Sequence, residues 1–236
     1  MENQTEIKPT ELRGQTALIS GGSSELAGAL ALALAEQGVR VCLCGRQLDL
    51  LEISAARVRA AGGECLTQVS ELDTLADAQA VLDQTLQTFG RLDFLILVSA
   101  SWGGGMIHAH SVTTWDLVMA ANLREPFLLA RAVLPVFRAQ KHGEIMAVGS
   151  DSGLGNYAMD GAFGVAQHGL VALVDQIRLE NSEFGIRTHV LMPGLALADA
   201  LDGNGKPNLS QKDVCEWVIF LLTRPAHLRG NGPILI

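Results

Sequence analysis

The sequence predicts a single α/β domain built on a doubly wound, mostly parallel, seven-stranded sheet with helices on both faces. Three observations carry this expectation. Apolar, β-rich runs alternate with helical patterns from one end of the 236 residues to the other. Several of the runs are apolar almost throughout, as strands are when both faces of a sheet are covered. The connections are short, which with this alternation favours parallel strands and right-handed crossovers.

A polar lead-in, residues 1–13, precedes the domain at 14–236. TALIS (16–20) is the first strand, followed by a Gly/Ser turn and a helix over 25–37. VRVCLC (39–44) and ECLTQV (64–69) are the next two strands, separated by a helix at 48–61. The third helix, 74–88, places Leu75, Ala78, Val81, Leu82, Thr85 and Phe89 on one face at helical spacing. LDFLILV (92–98), GEIMAVG (143–149) and IRTHVLM (186–192) continue the sheet, with long helices at 112–140 and 161–183 between them. Gly38, Gly62, Gly90 and Gly185 each follow a helix and read as stop signals. A helix at 210–223 and a tail strand, PILI, end the chain. The irregular stretch at 197–210 reads equally as a lid over a site and as a surface loop.

Composition narrows the function classes. With 48% hydrophobic and 18% charged residues, a packed core is expected and disorder is not. A net charge of -8 speaks against nucleic-acid and anionic-membrane partners, which attract basic surfaces. The longest apolar run, LAGALALALA, is too short to span a bilayer and is followed by Glu36. The N-terminus lacks the basic start and apolar run of a secretion signal. Cys42 and Cys44 share one face of a strand, a spacing that suits buried thiols in a reducing cytoplasm better than a disulfide or a metal centre.

ISGGSSELAGALALALAEQG is a strand, a tight turn and a helix, which aims backbone N–H groups and a helix N-terminus at a pyrophosphate. The stretch resembles the T-G-x-x-x-G-I-G turn of the short-chain dehydrogenase/reductase family, whose fold is Rossmann-like. In that register Ser20 replaces Thr, Gly21 is kept, Glu25 and Ala27 replace glycines and Leu26 replaces Ile. The resemblance extends over about residues 14–236. WDLVMAANL matches the family's W-D-x-V-x-x-x-N-L helix, with Trp115, Asp116, Val118, Asn122 and Leu123 in register. GEIMAVGS ends in Ser150, at the place of the catalytic serine, and Pro193-Gly194 keeps a family turn.

The resemblance implies a dinucleotide cleft formed by Gly21, Ser23, Ser24, Leu26, Arg46, Glu71, Leu72, Gln167, Pro193 and Gly194. Gly45 stands where an Asp would grip an adenosine 2′-hydroxyl, and Arg46 favours a 2′-phosphate, so NADP is the cofactor expected if any binds. The family's N-N-A-G is replaced by Leu97, Val98, Ser99 and Ala100, and Ala198 stands where Thr often contacts the cofactor.

The catalytic end departs further. The family's Tyr-x-x-x-Lys becomes Phe163 and Gln167, while Ser150 and Asn122 remain. A phenyl ring has no proton to give, and an amide carries no charge to tune one. Loss of a general acid alone costs roughly 10²–10⁴ in rate. Tyr157, the single tyrosine, is a candidate substitute donor. His108 and His110 lie in a loop near the expected substrate mouth and read as solvated; His168 is expected near a subunit contact.

Three readings follow. The first is a family member with a degenerate site that binds a dinucleotide weakly or not at all and acts through assembly or ligand binding. The second is an NADP-dependent oxidoreductase whose proton comes from Tyr157 or an ordered water. The third is a lyase or isomerase that handles a carbonyl compound through Ser150. All three admit a small carbonyl ligand. The apolar stripes FLLARAVLPVF and LVALVDQI imply a homodimer or homotetramer, or pairing with a paralogue.

Overall fold

The structure is a computed structural model that describes residues 10–98, 101–194, 209–225 and 232–236. Seven strands form one sheet in the order β3-β2-β1-β4-β5-β6-β7: β1 (Thr16–Ile19), β2 (Arg40–Gly45), β3 (Cys65–Val69), β4 (Phe94–Leu97), β5 (Gly143–Val148), β6 (Ile186–Met192) and β7 (Pro233–Leu235). Every pairing is parallel, where the sequence implied only a mostly parallel sheet. The chain runs outward from β1 to β3 and returns to place β4 against the other side of β1. This reversal opens a crevice at the carboxyl ends of β1 and β4, where ligands bind in open α/β sheets.

Two apolar layers cover the sheet. α1 (Glu25–Glu36), α2 (Leu48–Ala60) and α7 (Gln211–Thr223) pack on one face around Leu30, Leu34, Leu51 and Val218. α3 (Leu75–Phe89), α5 (Glu125–Gln140) and α6 (Gly161–Asn181) pack on the other around Leu82, Val133 and Leu170. Local chemistry starts and stops these helices. Thr74 and Asp77 form a capping box on α3, and Ser210 and Asp213 form one on α7. Gly90 ends α3 at φ +77°, and Gly185 turns into β6 at φ +71°, where a Cβ would stand 2.6 Å from the Lys141 carbonyl oxygen.

The helix expected over 112–140 is interrupted. α4 (Val112–Met119) passes into a π turn at Ala120–Arg124 before α5. Pro126 has no N–H to offer the Asn122 carbonyl, and the Glu125 N–H reaches back to the Ala120 oxygen instead, widening the turn at Asn122. Thr10 N–H donates to the Thr223 oxygen at 2.7 Å, and Leu12 is buried in the core, so the end of the polar lead-in packs on the domain. Residues 1–9, the stretch at 195–208, Ser99 and Ala100 lie outside the described residues. Cys42 and Cys44 are buried, and desolvation pushes both thiols up, which leaves them protonated and unreactive at neutral pH. Among the described residues no helix is long and apolar enough to cross a membrane.

Opposite the crevice, at the amino ends of the strands, two carboxylates are buried with partners. Asp93 accepts the Thr16 N–H at 2.9 Å and pairs with Arg91 at 2.6 Å. Glu144 pairs with Arg187 at 2.8 Å and lies 2.9 Å from His189 Nε2. Glu144→Ala leaves that cation and the buried imidazole without their carboxylate. A loss of about 3 kcal/mol of stability is expected, measured as a lower urea midpoint at unchanged slope.

Candidate active site

The crevice is a cleft of about 260 Å³ above the carboxyl ends of β1, β2 and β4. Its floor is the turn after β1. Gly21 takes φ +65°, Ser20 Oγ accepts the Val98 N–H at 3.3 Å, and Gly22 N–H donates to the Cys44 oxygen at 2.8 Å. Ser24 caps α1 by accepting the Ala27 N–H at 3.2 Å, and Ser23 Oγ accepts the Gln47 N–H at 3.2 Å. Glu25 turns away, its carboxylate accepting from Gln211 at the start of α7, so it brings no charge to the floor. At Gly45 a Cβ would come within 2.7 Å of Ser23 Oγ. The glycine is thus required by packing, beyond any role in choosing a nucleotide.

Gly21, Ser23, Ser24 and Arg46 line the cleft as the sequence implied. Leu26 and Leu72 do not offer their side chains to it; both belong to the apolar core. Leu72 adopts φ +53°, a left-handed conformation, with its N–H on Ser70 Oγ. Glu71 is an ion-pair partner of Arg46 at 3.1 Å. The Pro193 carbonyl accepts the Asp151 N–H, and Gly194 N–H donates to Ile236, so this turn anchors the segment after β5. Gly45, Gln47, Ser70, Val98, Ser101, Ala121 and Glu125 complete the lining. Ser70, Ser101, Ala121 and Glu125 carried no sequence signal, because each reaches the cleft only through the folding of the chain.

At the other end, Asn122 is fully committed. Its Oδ1 accepts from Ser101 N–H at 3.2 Å and from Gln167 Nε2 at 3.3 Å, and its Nδ2 donates to Ser101 O at 2.9 Å and Val118 O at 2.8 Å. Gln167 is completely buried, and its Oε1 has no hydrogen-bond partner among the described residues. Phe163 is buried with Val118, Ala162 and Ala166, and its ring lies 4.9 Å from the Trp102 ring at 60°. Trp102, an exposed indole after β4, carried no motif to mark it.

Ser150 follows β5 and donates to Asp151 Oδ1 at 3.0 Å. Tyr157 donates to Asp151 Oδ2 at 3.2 Å. Asp151 thus bridges two hydroxyls on one loop. The Asp151 charge beside Tyr157, with the hydrogen bond to it, raises the phenol above its ordinary value. A family lysine would lower a tyrosine, so this tyrosine is made a poorer acid. His110 Nε2 accepts the Ala162 N–H at 3.2 Å and pins the start of α6, a structural duty in place of the solvated role expected. His108 lies on an exposed turn, and His168 Nδ1 contacts the Gly164 oxygen within α6 at 2.9 Å.

The short chain dehydrogenase family model matches residues 15–207. The chain belongs to that family. An uncharacterized oxidoreductase of Staphylococcus haemolyticus is 25% identical over 225 residues, covering 94% of this chain and 96% of that protein. Levodione reductase of Leifsonia aquatica is 28% identical over 235 residues, 97% of this chain and 87% of the relative. A metagenomic short-chain oxidoreductase crystallised in complex with NADP superposes with a TM-score of 0.84 at 27% identity, covering 96% of this chain and 98% of the other.

The family binds nicotinamide dinucleotides, and the described residues fit one half of such a molecule. The Gly21–Ser24 turn and the capped start of α1 suit a pyrophosphate. At the other end Phe163 carries no ionisable group and Gln167 no charge, and Gln167 Oε1 has no hydrogen-bond partner among the described residues.

The protein has one tyrosine, so its ionisation can be followed directly by absorbance near ~295 nm. The midpoint is expected above the ordinary tyrosine value, and Asp151→Asn should bring it back down. A wild-type midpoint at or below the ordinary value would contradict the Asp151–Tyr157 contact.

Proposed function

We infer that this protein keeps the family's fold and part of its nucleotide cleft but does not reduce carbonyls in the family's usual way. One observation carries the reading. Phe163 and Gln167 are buried at the catalytic positions, one in an apolar cluster against Trp102 and the other bonded to Asn122. A hydride arriving at a carbonyl carbon places negative charge on oxygen, and neither group can neutralise it. Its role is then to hold a dinucleotide weakly, with Arg46 at the adenosine end of the cleft, together with a small carbonyl ligand, or to act through assembly.

The second reading, an oxidoreductase with a substitute donor, has the Ser150–Asp151–Tyr157 chain in its favour. Against it stands the direction in which Asp151 moves the phenol.

With NADPH and a panel of ketones, wild-type turnover is expected at background. Phe163→Tyr with Gln167→Lys should raise it by about 10²–10⁴, the worth of a positioned general acid. Brisk wild-type turnover that Tyr157→Phe abolishes would replace the first reading with the second.

Assembly is proposed from the outer faces of α4, α5 and α6, where Phe127 and Leu173 line two adjoining grooves of about 570 and 400 Å³. A second copy is the occupant that covers such a self-complementary stripe. Light scattering should report a dimer or tetramer, shifted toward monomer by Phe127→Glu; a monomeric wild type would refute it. The unbridged thiols suit a reducing compartment such as the cytoplasm.

A further inference from the structure

Arg46 is the cation on which a preference for NADP rests, and it is already engaged. Its Nε lies 3.1 Å from Glu71 Oε2, and its Nη2 lies 3.7 Å from Glu125 Oε2. The two carboxylates differ in setting. Glu71 is largely exposed, but Glu125 retains only 12% of its side-chain exposure and lines the cleft itself. Among the described residues of that lining, Arg46 is the only cation and Glu125 the only anion. Glu125 is held there by the fold. It is the first residue of α5 and is directed by the π turn. Its charge is felt at the end of β2, where it contributes to the raised Cys44 thiol.

We propose that Glu125, assisted by Glu71, is an internal counter-ion that competes with a nucleotide 2′-phosphate for Arg46 and cancels the preference for NADP that Arg46 would otherwise confer. An incoming phosphate must separate Arg46 from Glu71 and then lie beside the half-enclosed Glu125 charge, where screening by solvent is poor. A ribose bearing only hydroxyls meets no such opposition, since a carboxylate accepts their hydrogen bonds. The proposal rests on the reading of the cleft as a weakened nucleotide site and names the groups that weaken its adenosine end.

Adenosine fragments test this without the nicotinamide half, so Phe163 and Gln167 do not enter. Calorimetric titration compares 5′-AMP with 2′,5′-ADP on the full chain and on variants whose thermal unfolding matches wild type. Wild type is expected to bind the two within about threefold of each other. Glu125→Gln should tighten 2′,5′-ADP by about tenfold, one charge–charge interaction's worth in a partly screened site, and leave 5′-AMP within about twofold. Glu71→Gln, an exposed change without consequence for folding, should give a smaller gain in the same direction. Adding Arg46→Ala to Glu125→Gln should erase the gain. A wild type that already prefers 2′,5′-ADP by about tenfold overturns the proposal, as does a Glu125→Gln, Glu71→Gln double variant with no gain. Should wild type bind neither fragment, the double variant must acquire 2′,5′-ADP binding; if it does not, the proposal fails. Failure here leaves the account of the catalytic positions standing, because turnover with ketones tests that account separately.

Discussion

The side-chain amide of Asn122 holds the site together. It sits in a π turn just before Pro126, and its two N–H groups and two lone pairs are all in use. Through them the segment after β4 is clamped at Ser101, the end of α4 is held at Val118, and α6 is joined at Gln167. An asparagine with this load is retained for the fold whether or not chemistry continues beside it. The same holds for Ser150, whose hydroxyl accepts the Ser152 N–H at 3.3 Å while donating to Asp151. Both side chains therefore have structural duties in this fold, apart from any part in a reaction.

Phe163 and Gln167 suit their surroundings in the same sense. Position 163 faces Trp102 and an apolar cluster, where a ring packs and a lone hydroxyl would need a partner. Position 167 is closed to water, where an amide shared with Asn122 is far less costly than an ammonium. The acidic groups tell a similar story. Asp151 holds Tyr157, Glu71 and Glu125 hold Arg46, and Glu25 is drawn to α7. Charges that could serve a bound dinucleotide are satisfied within the protein.

Much of the fold was legible in the chain because its signals are local. Strand–helix alternation, a helical stripe such as Ala78–Val81–Leu82–Thr85, and glycines at helix ends report on short stretches that the structure uses as written. The π turn was less legible, since the helical pattern carries two prolines, Pro126 and Pro135, and only the first stands beside such a turn. At the site, family spacing pointed to Ser150, Asn122, Phe163 and Gln167, and the structure joins Asn122 to Gln167. Contacts that depend on tertiary approach had no such signal. Trp102 meets Phe163 across 61 positions of sequence, and Glu125 meets Arg46 across 79, by subtraction of their numbers. No periodicity encodes such pairs. Leu26 and Leu72 show the converse, since motif alignment placed them at the cofactor while burial turned their side chains into the core.

A single-turnover measurement bears most directly on the central claim. The protein, at a concentration above that of NADPH deuterated at the nicotinamide C4, would be held with a ketone and the product alcohol analysed by mass spectrometry. The account predicts no deuterated alcohol above the enzyme-free control, even with every cofactor molecule offered a site. Transfer of one deuterium per NADPH would contradict it, showing that a proton reaches the oxygen by a route that Phe163 and Gln167 do not block.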